Sequence, residues 1–272
     1  MQEERRGDRV IIFDYDDTMF PSTYLRELGL TLSSDISSIP PGFFDQTKEL
    51  AVIVSDTVNH ASTLGDIYLV TNGEEGWVEL SSCKFMPSLA PCLVKFKRII
   101  SARGRYESTY PNDPIMWKKE AFSDIIRDYV SYAFVDLGYN FLMPIDQSPL
   151  KTTHLISIGD SLAEREAAIM VYKEYGGSNL VCKTLKFFDS PTCEQLKLEM
   201  MLVRISLEQI VNHPFAVDVQ ININKNAEPD KAECSSKYPS DSPADTTLPP
   251  EDPIVGRDEC SIDTETGVLV SA

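Results

Sequence analysis

An apolar run near the start of the chain ends in a dense group of carboxylates. Residues 10–13 are Val-Ile-Ile-Phe, which is typical of a buried strand, and Asp14, Asp16, Asp17 and Thr18 follow at once. Carboxylates this close repel one another and are costly to desolvate, so they need either a neutralising cation or free access to water. Open α/β sheets bind their ligands at the carboxyl ends of the strands. The segment therefore predicts a magnesium site beside a reactive aspartate, with an acidic turn as the alternative.

Strand-like and helical patterns alternate along the first 214 residues. This alternation predicts an α/β fold, with a Rossmann-like parallel sheet between layers of helices. Strands are predicted at 10–13, 66–70, 98–101, 154–158 and 180–186, and helices at 46–62, 75–84, 114–130, 162–174 and 192–212.

The composition changes after residue 214. Residues 215–272 are acidic, rich in proline and almost free of aromatic side chains. Such a composition buries too little apolar surface to offset the entropy of ordering the chain. We therefore predict one folded domain over residues 1–214 and a disordered acidic tail over 215–272, which offers a surface for a protein partner.

Composition also excludes several classes of function. The formal net charge is −17, whereas nucleic acids and anionic membranes are bound through clustered Lys and Arg. The first six residues lead into the first strand without an apolar signal region, and no apolar run reaches membrane-spanning length. We expect a cytoplasmic protein that binds neither nucleic acid nor membranes. The six cysteines and three histidines lack the spacing of a zinc site.

Other predicted strands also end in polar groups. Thr71 and Asn72 follow the second strand and could bind a phosphate oxygen, and Asp160 follows the fourth and could complete a magnesium site. Glu164 lies one helical turn beyond Asp160, where it could orient a metal-bound water or brace a neighbouring side chain. These groups, brought to one edge of the sheet, form a site for a phosphorylated ligand.

The cation of this site is one of two adjacent lysines, Lys118 and Lys119, near the start of a predicted helix. Adjacent helical residues point about 100° apart, so only one amine can face the strand ends. The helical wheel does not decide between them, but nearness to the helix start favours Lys118. Trp77 and Trp117 are interpreted as core anchors, because no basic groove accompanies them.

With this order of parts, the chain resembles the haloacid dehalogenase superfamily over about residues 8–190. Four motifs carry the resemblance. They are D-x-D-x-T at Asp14, Asp16 and Thr18, a strand ending in Thr71, the lone Lys118, and Gly159-Asp160 with Glu164 where many members have Asp.

The resemblance implies a Mg²⁺-dependent phosphatase that works through an aspartyl-phosphate. Asp14 would attack phosphorus and, with Asp16 and Asp160, hold Mg²⁺, while Thr18 would order the loop. Asp16 would also protonate the leaving oxygen and then activate water. The short segments between the motifs leave little room for a cap domain, which implies an open site and a substrate that is a phosphorylated small molecule or phosphoprotein.

A second hypothesis keeps the fold but not the chemistry. The chain would then be a regulatory or protein-binding module with negligible turnover. A two-component receiver domain is a weaker alternative, because it phosphorylates an aspartate at the end of a later strand, and the predicted strands at 66–70 and 98–101 do not end in an isolated acid.

Overall fold

The sheet is built outward from its first strand. The computed structural model describes residues 9–136, 152–175, 180–221, 257–262 and 269–271. The strands are β1 Arg9–Phe13, β2 Asp66–Thr71, β3 Ile99–Ser101, β4 Thr153–Gly159, β5 Leu180–Lys186, β6 Ala216–Gln220, β7 Arg257–Ile262 and β8 Leu269–Ser271. Their order across the sheet is β3-β2-β1-β4-β5-β6-β7-β8. Each neighbouring pair is parallel except β7 and β8, which are antiparallel.

Helices cover both faces of the sheet. They are α1 Ser22–Glu27, α2 Phe43–Leu64, α3 Trp77–Phe85, α4 Ala102–Tyr106, α5 Pro114–Asp136, α6 Leu162–Tyr175 and α7 Cys193–Asn212. One core lies between the sheet and α2, α3 and α7, and the other between the sheet and α4, α5 and α6. In β1, Ile11 and Phe13 enter the first core and Val10 and Ile12 the second. Burial on both faces explains why this strand is a continuous apolar run.

The predicted α/β class and parallel sheet are confirmed, and each predicted strand and helix is present with somewhat different ends. Two short helices, α1 and α4, were not predicted. Each is too short to show a helical period in the sequence. In α4 the Ser101 hydroxyl accepts a hydrogen bond from the Gly104 N–H at 2.9 Å, which caps the helix start.

The prediction of a disordered tail over 215–272 is wrong for the residues that form strands. Residues Ala216–Gln220 form β6, in which Val217 and Val219 are buried. Arg165 of α6 holds the Asp218 carboxylate through two bonds of 2.9 and 2.5 Å. The alternation Val-Asp-Val-Gln is too brief to stand out beside the acidic residues that follow it. Strands β7 and β8 also fall within the predicted tail. Its residues 222–256, 263–268 and 272 lie outside the described residues, as do residues 1–8.

The topology places a crevice between β1 and β4. From β1 the chain fills one side of the sheet with β2 and β3, and then crosses to β4 on the other side. At such a point the connections on the two sides diverge, which leaves a ligand-binding crevice at the carboxyl ends of the strands. Within the described ranges, no helix combines the length and the apolar character needed to cross a bilayer.

Candidate functional site

Asp14 stands at the crevice because β1 continues one residue beyond its last regular pair. The Asp14 N–H donates to the Ile158 carbonyl of β4 at 2.8 Å, which extends the ladder to the end of both strands. Its carboxylate is 4% exposed. Lys118 Nζ lies 2.6 Å from Asp14 Oδ1. The proposed nucleophile is therefore buried and paired with a cation.

The structure places Lys118, not Lys119, at the site. Lys118 is 1% exposed and is ion-paired with both Asp14 and Glu164. Lys119 points elsewhere, toward Glu120 at 3.0 Å and Glu174 at 2.5 Å. Asp113 accepts from the Met116 N–H at 3.0 Å at the start of α5, and this cap fixes the first turn from which Lys118 projects.

Glu164 braces Lys118 and the loop after β4. One of its oxygens pairs with Lys118, and the other accepts from Ser161 N at 2.9 Å and Ser161 Oγ at 2.5 Å. A Cβ at Gly159 would lie 2.5 Å from Glu164 Cγ, so only glycine permits this close approach. Of the two roles predicted for Glu164, the hydrogen bonds match bracing of a neighbour.

Three carboxylates converge at the crevice. Asp14, Asp160 and Glu164 each offer an oxygen, and these oxygens lie within 4.8 Å of one another. Among the described residues, no side chain donates a hydrogen bond to the Asp160 carboxylate. Because both Glu164 oxygens are engaged, Asp14 and Asp160 are the pair best placed to hold a divalent cation. Oxygen ligands of this kind suit Mg²⁺.

The electrostatics of this pair also fit a cation. Burial raises the pKa of Asp14 to about 6, an effect that Lys118 opposes and the charge of Asp16 reinforces. Burial, together with the charges of Asp14 and Asp17, raises the pKa of Asp160 to about 8. Lys118 alone does not balance these carboxylates. A divalent cation would favour their ionised forms.

Asp16 lies beside this group rather than within it. Its Oδ2 accepts from Thr71 Oγ1 at 2.9 Å, and its Oδ1 accepts from Trp77 Nε1 at 2.8 Å and from the Ser22 hydroxyl. The carboxylate assigned from sequence as a third metal ligand is thus held by three neutral donors. Glu164, which the sequence assigned a supporting role, joins Asp14 and Asp160 in the carboxylate group instead.

The loop between β1 and α1 is ordered by Asp17 more than by Thr18. Asp17 has a φ of 50°, and its carboxylate accepts from Thr23 N at 2.8 Å and Thr23 Oγ1 at 2.5 Å. It therefore caps the start of α1. Thr18 is fully buried, but its hydroxyl has no hydrogen-bond partner among the described residues. The loop role predicted for Thr18 thus falls largely to its neighbour.

Thr71 and Asn72 both reach the site, in different ways. Thr71 bonds to Asp16 and accepts from Gly73 N at 2.8 Å. Asn72 Nδ2 donates to the Pro114 carbonyl at 3.2 Å, which ties the end of β2 to the start of the helix that carries Lys118. Asn72 therefore positions that helix in the arrangement described.

Sequence patterns did not reveal three contributors, namely Ser22, Trp77 and Ser161. Trp77 was interpreted as a core anchor, yet its indole N–H reaches Asp16, which lies 61 positions away in the sequence. No local signal predicts such a contact.

A cavity of about 120 Å³ lies beside Thr71, and the residues that line it include three glutamates and Arg105. The glutamates are Glu74, Glu75 and Glu79.

No protein-family model matches this sequence. Likewise, no curated protein and no solved structure matches the chain. Any functional conclusion therefore rests on the motifs and on the geometry of the site.

Proposed function

We propose that the protein is a Mg²⁺-dependent phosphomonoesterase that works through a phosphoryl group carried on Asp14. The observation that carries the proposal is the pairing of Asp14 with Lys118, at a crevice where Asp160 adds a carboxylate that has no side-chain donor among the described residues. A nucleophilic carboxylate, a buried cation and a place for a second cation are the parts that phosphoryl transfer requires.

The proposed reaction assigns a role to each of these residues. An Asp14 oxygen attacks phosphorus, the bond from phosphorus to the ester oxygen breaks, and the protonated Asp16 carboxyl gives its proton to that oxygen. Asp16 then takes a proton from water, whose oxygen attacks the same phosphorus and releases inorganic phosphate from Asp14. Lys118 balances charge on Asp14 and the phosphoryl oxygens. When bound, Mg²⁺ would neutralise phosphate charge, with Asp14 and Asp160 as its protein ligands.

The substrate is proposed to be a phosphorylated small molecule or a phosphoprotein. Between β1 and α2 the described chain contains only α1 and one 3₁₀ turn, Ile36–Ser38. That segment supplies no separate domain over the crevice, in keeping with an open site. The cavity is lined in part by Thr71, whose hydroxyl donates to Asp16, the proposed acid for the leaving group.

The direct test is hydrolysis of 4-nitrophenyl phosphate and of a phosphopeptide panel, with Mg²⁺ and with excess EDTA. Activity should require Mg²⁺ and should fall at least a thousandfold in Asp14→Asn, because the amide is a poor nucleophile. The matched control is Asp128→Asn, the same change at an exposed position paired with Arg98, which should keep activity within about twofold.

Two outcomes would decide against the proposal. Full activity in folded Asp14→Asn would exclude Asp14 as the nucleophile. A folded parent protein that hydrolyses none of these esters would favour the second hypothesis, a regulatory or binding module.

A further inference from the structure

Trp77 donates a hydrogen bond to Asp16, and none of the four sequence motifs includes this tryptophan. It is the first residue of α3, and its indole Nε1 lies 2.8 Å from Asp16 Oδ1. An indole N–H can only donate, whereas the hydroxyls of Ser22 and Thr71 can rotate and also accept. Among the described side chains that hydrogen-bond to Asp16, Trp77 is therefore the one that can act only as a donor to its carboxylate.

The indole is held in place on two sides. The Phe20 ring meets it edge to face, with ring centroids 6.1 Å apart and an interplanar angle of 86°. On another side, a Cβ at Gly73 would lie 2.5 Å from Trp77 Cδ1, so the backbone approaches the ring as closely as glycine allows. A ring confined in this way gives its N–H a fixed direction.

Asp16 needs such a fixed neighbour. It lies beyond the end of β1 in a loop, and it is only partly buried, so strand geometry does not fix its side chain. General acid catalysis depends on the distance and direction from the carboxyl to the leaving oxygen. Donors on both carboxylate oxygens restrict its rotation, and Trp77 is the bulkiest and least adaptable of them.

We propose that Trp77 is a positioning residue that orients Asp16 for proton transfer to the leaving oxygen. This role rests on the proposed phosphatase function. Its signature is a dependence on the leaving group. An alkoxide needs a proton as it departs, whereas 4-nitrophenolate is stable enough to leave without one. Misplacing Asp16 should therefore impair alkyl esters much more than the aryl ester.

The experiment compares kcat/KM for glycerol 2-phosphate and 4-nitrophenyl phosphate, with Mg²⁺, in the full-length protein. This parameter covers steps up to the first irreversible phosphoryl transfer, so slow release of phosphate from Asp14 does not affect it. In Trp77→Phe, kcat/KM for the alkyl ester should fall about tenfold or more, and for the aryl ester by less than about threefold. Asp16→Asn should show the same selectivity with a larger loss.

A matched control is available in the second tryptophan. Trp117 Nε1 donates to the Tyr110 carbonyl at 2.7 Å, so Trp117→Phe removes an indole hydrogen bond that does not involve Asp16. It should leave the ratio of the two kcat/KM values unchanged. If Trp77→Phe fails to fold, a benzothiophene amino acid at position 77 removes the N–H while keeping the ring volume, and it should give the same selective loss.

The possible failures are distinct. An active parent enzyme in which loss of the Trp77 N–H lowers both kcat/KM values equally, or neither, would overturn the positioning role and leave the phosphatase standing. A parent protein without turnover of either ester would overturn the proposed function and this role with it.

Discussion

Lys118 and Lys183 are both buried lysines near the sheet, but their surroundings differ. Lys183, in the middle of β5, is 0% exposed and donates to three carbonyls at the end of α7, those of Ile210 at 2.8 Å, Val211 at 2.8 Å and His213 at 2.6 Å. Each ammonium proton has an acceptor. Lys118 instead pairs with two carboxylates, in a crevice where no side chain in the described part of the chain donates to the Asp160 carboxylate.

The comparison distinguishes Lys183, whose hydrogen bonds are complete within the protein, from Lys118, which lies beside more carboxylates than it can neutralise. Burial lowers the pKa of Lys183 to about 7, and the charge of Arg9 adds to the effect. The three carbonyls accept hydrogen bonds from its ammonium group. That arrangement is complete without a ligand and joins β5 to the end of α7. Around Lys118 the negative charge exceeds the positive. Such an imbalance is costly unless a cation binds, which supports the proposed metal site.

The first test of this comparison removes the strands that lie beyond β5, the strand that contains Lys183. A chain ending after Pro214 loses β6, β7 and β8 and leaves Arg165 without Asp218. Val217, Val219 and Ile221 are buried, and each such side chain contributes about 1.5–3 kcal/mol. We expect the free energy of unfolding, measured in urea, to fall by at least about 4 kcal/mol.

A chain ending after Ile221 is the control for this truncation. It keeps β6 but lacks β7 and β8, and it should lose less stability than the shorter chain. Equal stability of the shorter chain and the full-length protein would show that β6 is not part of the folded core.

The second test concerns the functional lysine. Lys118→Met should lower kcat for 4-nitrophenyl phosphate by about 10² to 10³, which is typical for loss of one transition-state charge donor. Lys119→Met makes the same change one residue away, where the side chain pairs with Glu120 and Glu174. It should have little effect on kcat. A larger loss in Lys119→Met than in Lys118→Met would contradict the assignment.

The third test asks whether Lys183 is only structural. Lys183→Met leaves three carbonyls without their donor but also removes a buried charge, so we expect a stability loss of about 1–3 kcal/mol. Turnover per folded molecule should not change. The control is Lys97→Met, which removes an exposed ion pair with Asp66 and should alter stability by less than about 1 kcal/mol. A loss of turnover in folded Lys183→Met would show that Lys183 is not only structural.

The smallest expected effect comes from a buried carboxyl on the Lys183 side. Burial raises the pKa of Glu199 to about 8 from 4.5, and its Oε2 has no hydrogen-bond partner among the described residues. Between these pH values the folded state holds a proton that the unfolded state releases, so stability falls as pH rises. Glu199→Gln cannot ionise and should gain about 1 kcal/mol over the parent between pH 5 and pH 6.

Urea unfolding at the two pH values measures this gain. Glu208→Gln, an exposed change on the same helix, should leave the pH dependence as it is in the parent. An unchanged pH dependence in Glu199→Gln would show that the Glu199 carboxyl does not cause the fall in stability with rising pH.

The sequence predicts the site well where strand ends decide it. Asp14, Thr71 and Asp160 were placed together because parallel strands bring their carboxyl ends to one edge, and the structure brings them there. The helical wheel alone did not separate Lys118 from Lys119, because a wheel gives direction without the position of the helix on the sheet. That position depends on packing and on the bond from Asn72 to Pro114. Nearness to the helix start favoured Lys118, the lysine that pairs with Asp14.

Contacts between distant segments were beyond prediction. The bond from Trp77 to Asp16 depends on how α3 packs beside the loop after β1. Lys183 is a single charged residue within a strand, and nothing in the sequence shows that its ammonium group donates to carbonyls at the end of α7. The short alternation of β6 lacked the length that a reliable strand signal requires.

The central claim, that Asp14 carries the phosphoryl group, is tested most directly by locating that group. The protein with Mg²⁺ is mixed with 4-nitrophenyl phosphate, quenched in acid within milliseconds and reduced with borohydride, which converts an aspartyl phosphate to homoserine. Peptide mass spectrometry should find homoserine at position 14, and none in Asp14→Asn. Asp16→Asn should accumulate more of it, since the base that activates water is lost. Turnover of substrate with the modification at another residue, or with no trapped intermediate in Asp16→Asn, would contradict the account.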